Sequence, residues 1–240
     1  MNYKNILAFD CASSACSVSA AINGEIKASI LLNEGLTHSL TLLPSIEKVL
    51  KKAEITVDEL SAIAVTAGPG SFTGLKIGVA TAKGLAFKNN IPCIALSSMT
   101  VLAYSQKDYF LGNKEGIICT SLDARRNMLY NALFICKDGK ITRKTPDRQI
   151  SASDLKEELS KETLPILLTG DGAHIIEGLL KEANLTFSIV SEENRNINAI
   201  YEIDAIFKKE GIILTAKDLV PEYIRPSQAE RELKEKISNK

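Results

Sequence analysis

Apolar and polar positions divide the first hundred residues into short, regular segments. Residues 5–11 are an apolar run with an acid, Asp10, near its end. Residues 16–22 alternate, Asn23-Gly24 follows as a hairpin signal, and residues 25–32 continue as a third strand. Helical spacing then sets in over 36–53, through Leu36, Leu40, Leu43, Ile46, Val49, Leu50 and Ala53. A short strand over 63–66, a helix over 73–88, a strand over 92–96 and a helix over 98–106 complete the order β-β-β-α-β-α-β-α. Three meandering strands followed by alternating units predict an α/β protein with a mixed sheet flanked by helices.

A polar break over 107–114 interrupts this order, after which a similar one restarts. Strands are expected over 116–122, 128–136, 140–149 and 166–169, with Asp138-Gly139 as a second hairpin signal. Helices are expected over 153–159, 173–183 and 198–209, the last capped by Asn196 or Asn198. This divides the chain into a first lobe over 1–106, a second over 107–225 and a polar tail over 226–240, with a helix or frayed end over 230–236. The helix within 197–210 is a candidate to pack back on the first lobe.

Composition narrows the function classes. In 240 residues, 29 Lys and Arg balance 29 Asp and Glu, for a formal net charge of zero. A dedicated nucleic-acid binder normally carries a basic surplus. A neutral chain is therefore expected to meet RNA, if at all, inside a larger complex. No apolar run reaches the roughly 20 residues that span a bilayer, and Met1 to Ile6 lacks a signal-peptide layout. The expectation is a cytoplasmic protein without membrane contact. Five cysteines at 11, 16, 93, 119 and 136 form no C-x-x-C pair and read as buried, reduced thiols. Scattered as they are, they suggest no metal site.

Several stretches can carry chemistry. Asp10, Ser13 and Ser14 sit in a strand–turn–strand whose backbone N–H groups can face an anion, with the acid placed to hold a magnesium–phosphate complex through water. The same residues read equally as a Ser-rich turn capped by an acid. Gly170 and Gly172 lie where a strand turns into a helix, either a second anion site or a plain turn. Ala67-Gly68-Pro69-Gly70-Ser71 is no Walker loop, but Ser71 or Thr73 can cap the following helix. Along that helix Gly74, Gly78 and Ala82 recur every fourth residue. Each interior glycine costs about 0.5–1 kcal/mol relative to alanine. The stripe therefore implies a close neighbour, either the 36–53 helix or a second protein. The 36–53 helix carries apolar residues on more than one side, so it is deeply buried or an interface. His38 at its start reads as a capping or packing residue. Arg125 and Arg126 form a polar turn or a partner surface, and the hairpin over 137–148 is mildly basic and solvated.

In combination, Ala64-Val65-Thr66-Ala67-Gly68-Pro69-Gly70-Ser71-Phe72-Thr73-Gly74-Leu75-Lys76-Ile77-Gly78 and Ala82-Lys83-Gly84-Leu85-Ala86 closely resemble the TsaB (YeaZ) family. So do Leu7-Ala8-Phe9-Asp10, His38-Ser39 with Leu42-Leu43-Pro44, Asp123-Ala124-Arg125-Arg126 with Tyr130, and Pro221-Glu222-Tyr223-Ile224-Arg225. The match is dense over 4–105 and sparser beyond. The resemblance implies a two-lobed actin-like ATPase (ribonuclease H-like) fold and a role in making N6-threonylcarbamoyladenosine in tRNA. It implies a catalytic paralogue, TsaD, an ATPase, TsaE, and a homodimer when the partner is missing.

The catalytic relative carries a His-x-x-x-His metal pair, and by pattern the equivalent positions here are Ser98 and Leu102. A leucine cannot ligate a metal, and a lone serine hydroxyl is a poor ligand for a transition metal. The expectation is a non-catalytic, activating subunit that needs no cofactor of its own, binds nucleotide weakly or not at all, holds no metal and touches tRNA only through the complex. Its partner interface would include His38, Leu42, Leu43, Ile46, Leu50, Gly74, Gly78 and Ala82. The alternative is an ATP-dependent actin-like enzyme or an M22-type glycopeptidase.

Overall fold

The computed structural model describes residues 3–33, 35, 37–112 and 114–224. Leu36, Arg225 and the tail over 226–240, with its expected helix, lie outside the described residues. The apolar runs near the N-terminus form β1 (Asn5–Asp10) and β2 (Cys16–Ile22), joined by the turn that holds the serines, with β3 (Glu25–Leu32) beside them. All three are antiparallel. Next come α1 (His38–Ala53), β4 (Ala62–Gly68), α2 (Phe72–Phe87), β5 (Cys93–Ser97) and α3 (Ser98–Tyr104). β4 runs parallel to β1, and β5 parallel to β4. β1 and β4 are buried along their whole length. That is why their sequences read as unbroken apolar runs, as strands covered on both faces do.

The second lobe repeats the pattern. β6 (Glu115–Asp123), β7 (Met128–Lys137) and β8 (Lys140–Arg143) are antiparallel. After β9 (Arg148–Ser151) and α4 (Ala152–Leu159), β10 (Ile166–Thr169) returns parallel to β6. Beyond α5 (Ala173–Glu182), β11 (Phe187–Ile189) lies parallel to β10. The two sheets therefore share one strand order and one set of strand senses, β3-β2-β1-β4-β5 and β8-β7-β6-β10-β11. This duplicated arrangement is the two-lobed actin-like fold.

Two departures from the sequence reading have physical causes. The single strand expected over 140–149 is two, β8 and β9, and both pair with β7. Pro146 lies between them and has no N–H to give a ladder. The second departure concerns the lobe boundary. α6 (Ala199–Phe207) packs on β1, β2 and α3, and β12 (Ile212–Leu214) pairs antiparallel with β5 at the edge of the first sheet. Helix α6 thus packs back on the first lobe, the contact for which 197–210 was a candidate, and the departure is that β12 after it also joins the first sheet. Asn198 starts α6, its side chain accepting a hydrogen bond from the Ile200 amide at 3.1 Å.

Three apolar cores follow from this layering. One joins α1 and α2 to the first sheet, and another joins α4 and α5 to the second. The third lies between the lobes and draws Ile6, Leu96, Met99, Ile118, Phe134 and Ile203 into one cluster around α3 and α6. The central layer therefore ties both sheets to one shared core.

Candidate functional site

The ends of both sheets open on a cleft of about 630 Å³. Ser13 and Ser14 from the β1–β2 turn line one side, with Gly70 and Ser71 from the loop before α2. Arg125 from the β6–β7 turn and Asp171 and His174 from the start of α5 line the other. Local bonding builds the first wall. Ser71 caps α2, its hydroxyl accepting from the Gly74 amide at 3.2 Å, while its own amide donates to the Ala12 carbonyl at 2.7 Å. The segment Pro221–Ile224 closes over this loop: the Glu222 amide donates to the Ala67 carbonyl at 2.7 Å, and Tyr223 stacks on Phe72 with centroids 4.5 Å apart. The motif residues 67–74 and 221–224 are thus one packed unit.

Asp10, expected to face an anion, is sealed beneath the cleft. Its Oδ1 accepts from the Ala12 amide at 3.0 Å and from the Thr66 hydroxyl, and its Oδ2 has no hydrogen-bond partner. Burial pushes its carboxyl up to about 7, against those two hydrogen bonds. Asp10 therefore caps the turn, the plainer of its two readings. The Gly172 amide is likewise taken, by the Ser121 carbonyl at 2.9 Å. Gly170 sits at φ +92 against that same carbonyl, where a Cβ has no room. These glycines fit α5 to β6, and of the five predicted anion-site residues only Ser13 and Ser14 line the cleft. Across it, Arg125 pairs with Asp123 at 3.1 Å and is otherwise exposed.

The expected interface residues divide in the same way. Leu42, Ile46, Leu50 and Ala82 are core residues between α1, α2 and the first sheet. Gly74 is glycine because a Cβ there would overlap the Cys11 carbonyl, and Gly78 packs on Val65. The close neighbour implied by the small-residue stripe is thus the end of β1 and β4 of the same chain. His38 is half-buried, its Nε2 2.9 Å from the Ser13 carbonyl. Of the eight, Leu43 alone is exposed, at 53%. It is joined on the outer face of α1 by Leu40 (69%) and at the start of α2 by Phe72 (36%). The breadth of the apolar pattern on α1 is therefore two surfaces, one spent on the core and one free.

Two features escaped the sequence reading. Glu202 on α6 is fully buried, and neither of its carboxylate oxygens has a hydrogen-bond partner. Burial, and then the neighbouring Asp10, push its pKa well up. The available signal was weak: the apolar helix Ala199–Phe207 carries two acids, Glu202 and Asp204, and only the fold shows that Glu202 is the one facing inward while Asp204 pairs with Lys107. The second is a correction. Cys11, Cys16 and His38, scattered in sequence, come together in space with their ligand atoms all within 4.8 Å of one another. The β1–β2 register explains the thiols: Asp10 pairs with Ser17, so Cys11 and Cys16 face each other one step further on. All five cysteines are free and buried, as their apolar settings implied.

Ser98 and Leu102, at the positions of the expected metal pair, are both fully buried on α3, and Leu102 lies in the central core. Among the described residues no helix is long and apolar enough to cross a membrane.

A family model described as TsaD, tRNA N6-adenosine threonylcarbamoyltransferase, matches residues 35–210. The tRNA threonylcarbamoyladenosine biosynthesis protein TsaB of Bacillus subtilis is 30% identical over 193 residues, 80% of this chain and 82% of that one. Its counterpart in Escherichia coli is 32% identical over 129 residues, 54% of each chain. A tRNA N6-adenosine threonylcarbamoyltransferase of Listeria monocytogenes is 44% identical over 62 residues, 26% of this chain and 18% of that one. The solved structure of YeaZ from Pseudomonas aeruginosa superposes with a TM-score of 0.74 at 21% identity, over 93% of this chain and all of that one, and shares the fold. With its motifs packed around one cleft and these relatives along most of its length, the chain belongs to the TsaB (YeaZ) family and has a role in tRNA threonylcarbamoyladenosine biosynthesis.

Proposed function

We propose that this chain is the non-catalytic, activating subunit of a threonylcarbamoyl-transfer complex. It pairs with a TsaD-type catalytic paralogue, works with a TsaE-type ATPase, and meets tRNA only through the assembly. One observation carries the reading: the two positions that match the catalytic relative's metal pair are a buried serine and a core leucine. Neither can present a ligand to an open cleft. The outer face of α1 with Leu40 and Leu43 supplies the apolar area for docking. The same face accounts for a homodimer when the partner is missing. The chain needs no cofactor of its own for this role, and its place is the cytoplasm.

The test is light scattering of the purified chain mixed with a TsaD-type transferase. The reading predicts a species with the summed mass of the two chains. Two separate peaks at micromolar concentration would count against it.

The cleft supports a second reading, an ATP-dependent enzyme, because turns from both lobes converge there as around a nucleotide. Asp10 weakens it, since its carboxylate is closed off from the cleft by the turn it caps. Calorimetry with magnesium-ATP separates the two readings. Tight binding that is lost in Ser14→Trp favours the enzyme, and the absence of measurable heat favours the subunit.

A further inference from the structure

We propose that Cys11, Cys16 and His38 form a zinc-binding site that ties the β1–β2 turn to the start of α1. The site is distinct from the Ser98 and Leu102 positions and does not depend on the reading of the complex. Geometry comes first. The two sulfurs and one imidazole nitrogen already lie within 4.8 Å of one another. Tetrahedral zinc with Zn–S of about 2.3 Å and Zn–N of about 2.0–2.1 Å sets ligand atoms about 3.5–3.8 Å apart. Each atom therefore has to move less than about 1 Å to close on an ion.

The histidine tautomer is set for this. His38 Nε2 lies 2.9 Å from the Ser13 carbonyl, an acceptor only, so Nε2 carries the proton. Nδ1 is shielded from solvent without a hydrogen-bond partner, and in the neutral ring it is the nitrogen that carries the lone pair. A ring whose second nitrogen donates to a backbone carbonyl is the usual arrangement of a metal-bound histidine. A zinc ion would take the two sulfurs as thiolates, releasing their protons on binding. Two sulfurs and an imidazole select a borderline-soft ion over magnesium or calcium, which take oxygen. His38 also lines the cleft, which gives an ion a route in.

The experiment uses the full chain, stripped with a chelator under reducing conditions and titrated with Zn²⁺ against a chromophoric competitor. One equivalent should bind, and Co²⁺ should give the thiolate-to-metal charge-transfer band of a tetrahedral sulfur site. Cys16→Ser and His38→Gln should each weaken binding by at least 10–100-fold, the loss seen even for groups that only orient ligands. Cys93→Ser, which alters a buried thiol on β5, should leave binding unchanged. A cobalt-loaded wild-type protein without the band would overturn the proposal regardless of how the variants fold. So would unchanged affinity in a folded Cys16→Ser, or a Cys11–Cys16 disulfide in the reduced preparation.

Discussion

Glu202 and Asp10 are carboxyls held in the apolar middle of the molecule, and their burial has a pH signature. An unfolded glutamate titrates near 4.3. In the native chain Glu202 keeps its proton to a higher pH, because burial disfavours the charge and Asp10 adds to the penalty. Between those two values the native state holds more protons than the unfolded one, so stability falls as pH rises. Glu202→Gln keeps the shape and removes the titration. Its melting temperature should match the wild type near pH 4.5 and exceed it by a few degrees at pH 8. Parallel melting curves across that range would contradict the burial. Glycines divide as sharply. Gly74→Ala drives a methyl into the Cys11 carbonyl and should cost at least about 1–3 kcal/mol in urea unfolding. Gly84→Ala, on the open side of the same helix, should gain about 0.5–1 kcal/mol.

At the scale of elements, the long ones were legible and the short ones were not. α1, α2 and the strands of the first sheet carry many periodic apolar positions, enough to fix their type within a residue or two at the ends. β11 and β12 have three residues each and exist because a neighbouring strand offers an edge, which no local pattern encodes. The apolar breadth of α1 was visible, but not which side was free. The sheet beneath decides that, and it leaves Leu40 and Leu43 outside. This gives a paired prediction. Leu43→Asp should keep the melting temperature, since exposed changes cost within about 0.5 kcal/mol, and should abolish pairing with the transferase in light scattering. Ile46→Asp, three residues on but in the core, should fail to fold, as measured by circular dichroism.

At the scale of the molecule, the relatedness of the two lobes was legible because the meander of strands restarts after the polar break, but the shared strand order was not, since it needs β11, which no local pattern encodes. The return of α6 to the first lobe was legible as a candidate, and its fit of Ile203 to the core of α3 and β1 bears it out, whereas that of β12 was not, because it rests on the edge that β5 offers. The cleft residues were half legible. Motif spacing pointed to the right turns but not to which groups face out: Ser14 does, Ser13 borders the cleft with its hydroxyl buried, and Asp10, Gly170 and Gly172 are consumed by backbone packing. Cys11, Cys16 and His38 were hidden, because a hairpin register and a helix start bring them together rather than a spacing. What emerges is an actin-like scaffold whose conspicuous turns are structural and whose free surface is an apolar helix face. Threonylcarbamoyl transfer to tRNA, assayed with a TsaD-type transferase, a TsaE-type ATPase and ATP, tests that account most directly. Product should form when this chain is added and not when it is omitted or replaced by Leu43→Asp. Transfer by the chain alone, or undiminished transfer with Leu43→Asp, would contradict it.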